Sequence, residues 1–219
     1  FMYKELERLE EAVTHLKKFL VLKPEISDAH GNLGIILRTL GRPDEALECF
    51  NSAIALKPNF ADFYINRSIA LSELEQFDAA IADLDKAIAL QPDNANTYYQ
   101  RGNILRISGQ FDAAVTSYEK ATSLQPDFTD AHKNLGSLLQ ELGQFERAIH
   151  NLDYAGNRFS SAQTLECLFA LERYDEFHTK LNELTKIDKT NIRGAAISAF
   201  AAHQLDREDL YPFCKDPLD

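Results

Sequence analysis

Small and apolar residues recur along this chain with a period of 34 residues. The columns that show the period hold Pro24, Pro58, Pro92 and Pro126; Ala46, Ala80, Ala114 and Ala148; Ala53, Ala87, Ala121 and Ala155; Leu37, Leu71, Leu105 and Leu139; and the small residues Gly34, Ser68, Gly102 and Gly136. A fixed period of this length, with small residues at set places, predicts an array of helix-turn-helix units.

The stretch 95–128 shows how one unit is built. Gly102 allows a neighbouring helix to approach the first helix, and Gly109 ends that helix in a left-handed cap. The second helix begins near Asp112, whose charge suits the positive end of the helix dipole, and ends before Pro126. The apolar faces of the two helices comprise Tyr98, Ile104 and Leu105, and Ala114, Tyr118, Ala121 and Leu124.

This pattern resembles the tetratricopeptide repeat family, whose recurring aromatic, Gly, Ala and Pro positions are matched by Tyr98, Gly102, Phe111, Ala114, Tyr118, Ala121 and Pro126. We expect repeats at 27–60, 61–94, 95–128 and 129–157. The second has Ser68 in place of the Gly and Glu75 at its turn, and the fourth lacks its terminal Pro. The resemblance implies an all-α, right-handed superhelical solenoid over residues 1–205.

The N-terminal residues 1–26 align with the second half of a repeat, since Ala12 takes the column of Ala46 and Pro24 that of Pro58. The sequence therefore favours a fragment that begins inside a repeat. We expect Leu9, Val13, Leu16 and Phe19 to be partly uncovered. Such an end either frays or finds a partner, and self-association through this half repeat is one outcome.

After Ala155 the period slips. Residues 158–191 align as a degenerate repeat, in which Phe177 replaces the small Ala and implies a wider helix separation. We expect its stripe to hold Tyr174, Leu181, Leu184 and Ile187. An Ala-rich capping helix is predicted over 192–205. Residues 206–219 form a tail whose prolines exclude continuous helix, and one interpretation is a linker into a further domain.

Composition narrows the class of function. The hydrophobic fraction of 45% with only 9 Gly and 7 Pro favours regular helix over disorder. A net charge of -11 argues against nucleic acid and anionic membranes as main partners. No run approaches the roughly 20 apolar residues of a membrane helix. Cys49, Cys167 and Cys214 lack zinc or redox spacing, so we expect reduced thiols, no cofactor and a cytoplasmic protein.

Catalysis has little support in the sequence. His30 and His132 occupy the column that holds Tyr64 and Tyr98 elsewhere, which indicates packing residues rather than metal ligands, and the remaining histidines lack ligand spacing. No phosphate-binding Gly loop or nucleophile elbow is present. The acidic residues Asp83 and Asp85 are expected to be solvated charges on a second helix.

A column of amides is the strongest candidate for a binding site, and it comprises Asn32, Asn66, Gln100 and Asn134. An amide both donates to and accepts from a peptide bond, so a ladder of amides can hold an extended peptide by its backbone. The column resembles the asparagine ladder in the repeat region of O-linked N-acetylglucosamine transferase, although Gln100 breaks the pattern. The alternative is that these amides are only solvated.

Charged and aromatic residues flank this column. Tyr99, Asn103, Arg38, Arg106 and Lys133 could pair with acidic or aromatic ligand side chains. The recurring acids near the helix starts are expected to act as N-terminal caps, and they are Asp28, Asp62 and Asp130.

A chaperone-binding carboxylate clamp, known in the family, needs Lys and Asn where Gly31 and Ile35 stand, so we expect none. The sequence favours a non-catalytic scaffold that binds an extended peptide. The alternative is the substrate-docking region of a larger enzyme with its catalytic domain beyond Asp219.

Overall fold

The computed structural model describes residues 2–155 and 158–187. Those residues form eleven α-helices and no strand, which confirms the predicted all-α class. The helices are α1 Met2–Leu22, α2 Ser27–Thr39, α3 Pro43–Leu56, α4 Ala61–Glu73, α5 Phe77–Leu90, α6 Ala95–Ile107, α7 Phe111–Leu124, α8 Thr129–Glu141, α9 Phe145–Ala155, α10 Arg158–Ala170 and α11 Tyr174–Ile187.

Successive helices pack on one another as the helix-turn-helix pattern predicts. In the first of two compact units, residues 1–126, α2 pairs with α3, α4 with α5 and α6 with α7, and each pair packs on the next. In the second unit, which begins at Asp127, α8 packs on α9, α9 on α10 and α10 on α11. The periodicity predicts one continuous array, and the contacts divide it at this point.

The core of each pair follows from the repeating small residues. Ala46, Ala80 and Ala114 are all fully buried where the second helix crosses the first. A Cβ added to Gly102 would lie 2.6 Å from Tyr118 Cε1, so only glycine lets that fully buried ring rest on α6. The close approach is therefore set by the small residue on one helix and the large residue on its partner.

The turns between paired helices require a left-handed residue. Gly109 has φ +78°, as the sequence predicts. The same column holds Glu75 with φ 58° and Glu172 with φ 57°, so two turns adopt this conformation without glycine. A side chain in this region is strained by contact between Cβ and the backbone.

The predicted role of the recurring aspartates as capping residues is wrong in its geometry. The N-cap residues of α2, α4 and α8 are Ile26, Phe60 and Phe128, and none makes a side-chain capping bond. The aspartates Asp28, Asp62 and Asp130 lie in the first turn instead. Their carboxylates act on the helix dipole rather than on a backbone N–H.

Helix α1 is continuous through the column where other repeats turn. Val13 is 4% exposed and packs on the α2 and α3 core with Leu16 and Leu20. Leu9 is half-buried, and Phe19 is 40% exposed. One side of α1 is therefore covered by its neighbours and another remains accessible.

The degenerate repeat has large residues where other repeats have small ones. Leu165 stands in the glycine column and Phe177 in the alanine column, and both are buried in one cluster with Leu181. The edge of the Phe169 ring meets the Phe177 ring, with 6.1 Å between centroids. The side chains of Leu184 and Ile187, the capping helix at 192–205 and the tail at 206–219 lie outside the described residues.

Candidate functional site

Each first helix of the first unit carries one solvent-facing stripe with i, i+4, i+7, i+11 spacing. We call it the first-helix stripe, and it comprises Asp28, Asn32, Ile35 and Thr39 on α2, Asp62, Asn66, Ile69 and Glu73 on α4, and Asn96, Gln100, Asn103 and Ile107 on α6. All of these residues are exposed or half-exposed, whereas the opposite faces are buried against the second helices. Three of the predicted amides lie on this stripe.

The amides differ in how much hydrogen-bonding capacity remains for a ligand. Asn66 Nδ2 donates to the Asp62 carbonyl oxygen of its own helix at 2.8 Å, so one of its two N–H donors is used within the helix. Asn103 Oδ1 accepts from the Tyr118 hydroxyl at 2.8 Å. Asn32 is exposed and Gln100 half-exposed. The column therefore presents both donors and acceptors, as backbone recognition requires.

Arg38 is occupied by a neighbouring repeat. Its Nη1 donates to Glu73 Oε1 at 2.8 Å, which joins the C-terminal ends of α2 and α4. The Arg38 Nε is buried without a hydrogen-bond partner within the described part of the chain. An acidic ligand side chain would have to displace Glu73, so Arg38 is better placed to position the stripe than to bind.

The remaining predicted binding residues lie in two places. Tyr99 is half-buried on α6, with its ring centroid 6.1 Å from that of Tyr118, and Arg106 lies in the last turn of the same helix. Lys133 and Asn134 lie on α8, in the second unit. The structure thus places Tyr99 and Arg106 beside the stripe of the first unit.

A glycine and an aromatic ring bring α2 and α4 together beneath the stripe. A Cβ on Gly31 would lie 2.6 Å from Phe63 Cε1, so any side chain there would displace the ring. Phe63 is 5% exposed, and its centroid lies 4.7 Å from that of Phe60. Two amides one repeat apart are therefore carried by helices in direct contact.

Two arginines that the sequence analysis passed over lock the first helices to the second helices. Arg67 makes a bidentate ion pair with Asp83 at 2.6 and 2.7 Å, and its Nη1 donates to Asn51 Oδ1 at 2.7 Å. Its hydrogen bonds to Asp83 raise the pKa of Arg67. The expectation of a solvated Asp83 is wrong, because this carboxylate is 6% exposed and paired.

Arg101 repeats the arrangement one unit later. Its Nε donates to Asp85 Oδ1 at 2.7 Å and its Nη1 to Ser117 Oγ at 2.8 Å. Both arginines stand in the column that holds Leu33 in the first repeat. The sequence does contain a signal for these ion pairs. Two arginines 34 residues apart stand in a column that is otherwise apolar, and acids lie on the adjacent second helix.

The histidines in the aromatic column are packing residues, as predicted. His30 Nε2 donates to the Pro24 carbonyl oxygen at 2.9 Å, and the Tyr64 hydroxyl donates to the Pro58 carbonyl oxygen at the same distance. Each side chain thus fastens a first helix to the end of the preceding repeat.

Among the described residues, no group of three His, Cys, Asp or Glu side chains is placed to hold a metal ion. Cys49 and Cys167 are free thiols, and burial raises the pKa of Cys167 to about 12. Within the same residues, no helix has the length and apolar character needed to cross a membrane.

The comparisons with known proteins agree with this architecture. A tetratricopeptide repeat model matches residues 27–60, and a TPR repeat model matches 70–106 and 102–143. The chain belongs to the tetratricopeptide repeat family. No curated protein sequence matches it significantly.

Among solved structures, MamA is 26% identical with a TM-score of 0.62, and the match covers 76% of this chain and 92% of MamA. YrrB, described as a TPR protein with an unusual peptide-binding site, is 18% identical with a TM-score of 0.68, over 87% of this chain and 98% of YrrB. The first TPR domain of Spaghetti (RPAP3), bound to the HSP90 peptide SRMEEVD, is 25% identical with a TM-score of 0.51, over 53% of this chain and 92% of that domain. This protein is therefore a TPR protein, and its fold is one that other proteins use to bind peptides.

Proposed function

We propose that this protein is a non-catalytic scaffold that binds an extended peptide along the first-helix stripe of residues 27–107. The observation that carries the proposal is the repetition of one accessible stripe on α2, α4 and α6, with an amide at the same position of each. An array of amides at repeat spacing suits a peptide backbone, whose donors and acceptors also repeat.

The geometry supports backbone recognition with few demands on ligand side chains. Asn32 is exposed, and Asn66 keeps its Oδ1 and one N–H, because only one of its donors is used within α4. Ile35 is 37% exposed and Ile107 is 65% exposed, so the stripe also offers apolar contacts. YrrB and RPAP3, whose descriptions include a peptide-binding site and a bound peptide, support this use of the fold.

The test is a triple variant, Asn32→Ala, Asn66→Ala and Gln100→Ala, assayed by fluorescence anisotropy against a library of labelled extended peptides. We expect peptides that bind the unaltered protein to lose at least about tenfold in affinity, because each of the three lost amide contacts contributes about 0.5–1.5 kcal/mol. Alanine favours helix, so the variant should remain folded.

A matched control removes three amides away from the stripe, at Asn59, Gln76 and Gln125. This control should bind like the unaltered protein, with equal helicity by circular dichroism. Equal affinity of the stripe variant and the control would contradict peptide binding through the amides.

A further inference from the structure

The first-helix stripe is divided across its width into three parallel rows. Each first helix contributes one residue to every row, at i, i+4 and i+7, so the rows run from helix to helix. We call them the acid row, which comprises Asp28, Asp62 and Asn96; the amide row, which comprises Asn32, Asn66 and Gln100; and the apolar row, which comprises Ile35, Ile69 and Asn103. Because an α-helix rises about 1.5 Å per residue, the acid row lies about 6 Å and the apolar row about 4.5 Å from the amide row between them.

The carboxylates of the acid row are not neutralised by the fold. Asp28 and Asp62 are exposed, and neither forms an ion pair with another residue in the part of the chain that the structure describes. Their one polar contact within that part is from Ser27 Oγ to Asp28 Oδ1, at 3.5 Å. In the turn before α4, the Lys57 ammonium lies over the Phe60 ring, 4.0 Å from its centroid. Two carboxylates at repeat spacing are therefore accessible to cationic groups of a ligand.

The positive charge beside the stripe lies at its other end. No lysine or arginine belongs to the stripe itself. Arg38, in the last turn of α2, donates to Glu73 at the end of α4, so these two charges balance each other. The end of the stripe nearest the helix N-termini is thus negative.

The apolar row supplies a different surface on the far side of the amides. Ile35 is 37% exposed and Ile69 is half-exposed. In the third repeat this row continues as Asn103, and the acid row continues as the uncharged Asn96. The combination of acid and apolar rows is therefore confined to α2 and α4, which are in contact with each other.

An extended peptide lying on the amide row would use the two outer rows alternately. Its backbone hydrogen-bonding groups point at right angles to its side chains, and successive side chains point to opposite sides. With the backbone bonded to the amides, one set of side chains reaches the acid row and the alternate set reaches the apolar row. Neighbouring helices lie about 8–10 Å apart, which about three residues of extended chain span, and the flexible stems of Lys and Arg accommodate the difference from an even number of residues.

We propose that the ligand of the first-helix stripe is an extended peptide in which Lys or Arg alternates with apolar residues. Asp28 and Asp62 hold the basic side chains, and Ile35 and Ile69 contact the apolar ones. This inference rests on the proposed function, because the amide row must hold the backbone for the side chains to alternate between the rows.

The experiment is fluorescence anisotropy of labelled peptides with the full chain at about 0.02 M salt, where ion pairs are weakly screened. The probe is a peptide of about eight residues in which Lys and Val alternate, and Glu-Val and Lys-Gln peptides of the same length test the two rows separately. We expect the Lys-Val peptide to bind at least about tenfold more tightly than the Glu-Val peptide, and about threefold more tightly than the Lys-Gln peptide.

Removing the two charges of the acid row tests its position. Asp28→Asn with Asp62→Asn should lower the affinity for the Lys-Val peptide at least about fivefold, because two ion pairs are lost. The matched control is Asp78→Asn with Asp112→Asn, which removes two exposed aspartates from the first turns of α5 and α7. The control changes net charge and helix-dipole contacts equally, so it should stay within about twofold of the unaltered protein, with equal helicity by circular dichroism.

Two further variants change specificity rather than remove it. Asp28→Lys with Asp62→Lys should bind the Glu-Val peptide more tightly than the Lys-Val peptide, because the acid row becomes basic. Ile35→Asn with Ile69→Asn extends the residue type of Asn103 to the whole apolar row. This variant should bind the Lys-Val and Lys-Gln peptides within about twofold of each other.

A Lys-Val peptide that does not bind at about 100 μM would overturn the inference. Equal losses in the Asp28 and Asp62 variant and in its control would also refute it, because affinity would then follow net charge alone. Peptides that need the amides but not the two aspartates contradict this inference and leave the proposed function standing. Affinity that needs the aspartates but not the amides contradicts the backbone placement on which both depend.

Discussion

Arg67 shows how a single side chain can position a binding surface without belonging to it. Its guanidinium joins Asn51 of α3 and Asp83 of α5 while its own helix, α4, carries Asn66 on the solvent side. A leucine takes this position in the first repeat at Leu33, so the column tolerates apolar packing as well. The ion pair fixes the orientation of the first helix relative to both second helices.

Replacing Arg67 alone should destabilise the fold. Arg67→Leu leaves the Asp83 carboxylate buried without its partner, and we expect a loss of about 2 kcal/mol in the free energy of unfolding. The measurement is urea unfolding followed by circular dichroism. The double variant Arg67→Leu and Asp83→Ser, which resembles the first repeat at Leu33 and Cys49, should recover most of this loss. A double variant as unstable as the single one would show that the arginine contributes by packing alone.

At the scale of elements, exposed ion pairs add to the apolar packing that attaches α1 to α2 and α3. Glu45 receives hydrogen bonds from Arg42 and Lys17, which lower its pKa from 4.5 to about 2. A carboxyl group whose folded pKa lies below the unfolded value stabilises the fold above the unfolded value and loses that effect as pH falls toward the folded one. The attachment of α1 should therefore weaken on acidification.

We expect hydrogen-exchange protection factors of the α1 amides to fall severalfold between about pH 5 and pH 2, because Glu45 takes up a proton near 4.5 when α1 is detached but only near 2 in the folded state. In Glu45→Gln the protection should be low at both pH values. Glu48→Gln, on the same helix and exposed, should behave like the unaltered protein. Protection in Glu45→Gln that still falls with acid would assign the effect to other carboxylates.

At the scale of the whole molecule, net charge limits the partners. The chain carries 34 acidic and 23 basic residues, for a net charge of -11. Binding to nucleic acid requires clustered positive charge that releases counterions from phosphate. Several of the arginines described here are paired with carboxylates within the fold, among them Arg38, Arg67 and Arg101.

We therefore expect no retardation of duplex DNA or of single-stranded RNA at about 0.15 M salt in a gel mobility assay with micromolar protein. For the proposed peptide site, the negative net charge predicts a preference for basic or neutral peptides. A salt-sensitive retarded band would contradict the assignment to protein partners.

The 34-residue columns were enough to predict the helix pairs, their turns and the family. The physical reason is that buried small residues such as Ala46 and left-handed glycines such as Gly109 are constrained by their immediate neighbours along one pair. The same spacing also placed Asn32 and Asn66 on one side of successive helices. Whether those amides bind a peptide stays a prediction.

Pairings between helices could not be read from the columns. Arg38 contacts Glu73 across 35 residues and Arg67 contacts Asp83 across 16, and both depend on how helices stack rather than on local spacing. Sequence periodicity established which residues lie on which face of each helix, because that follows from 3.6 residues per turn. Packing between helices then determined which charges are buried and which amides are already engaged, because side chains far apart in the chain compete for the same partners.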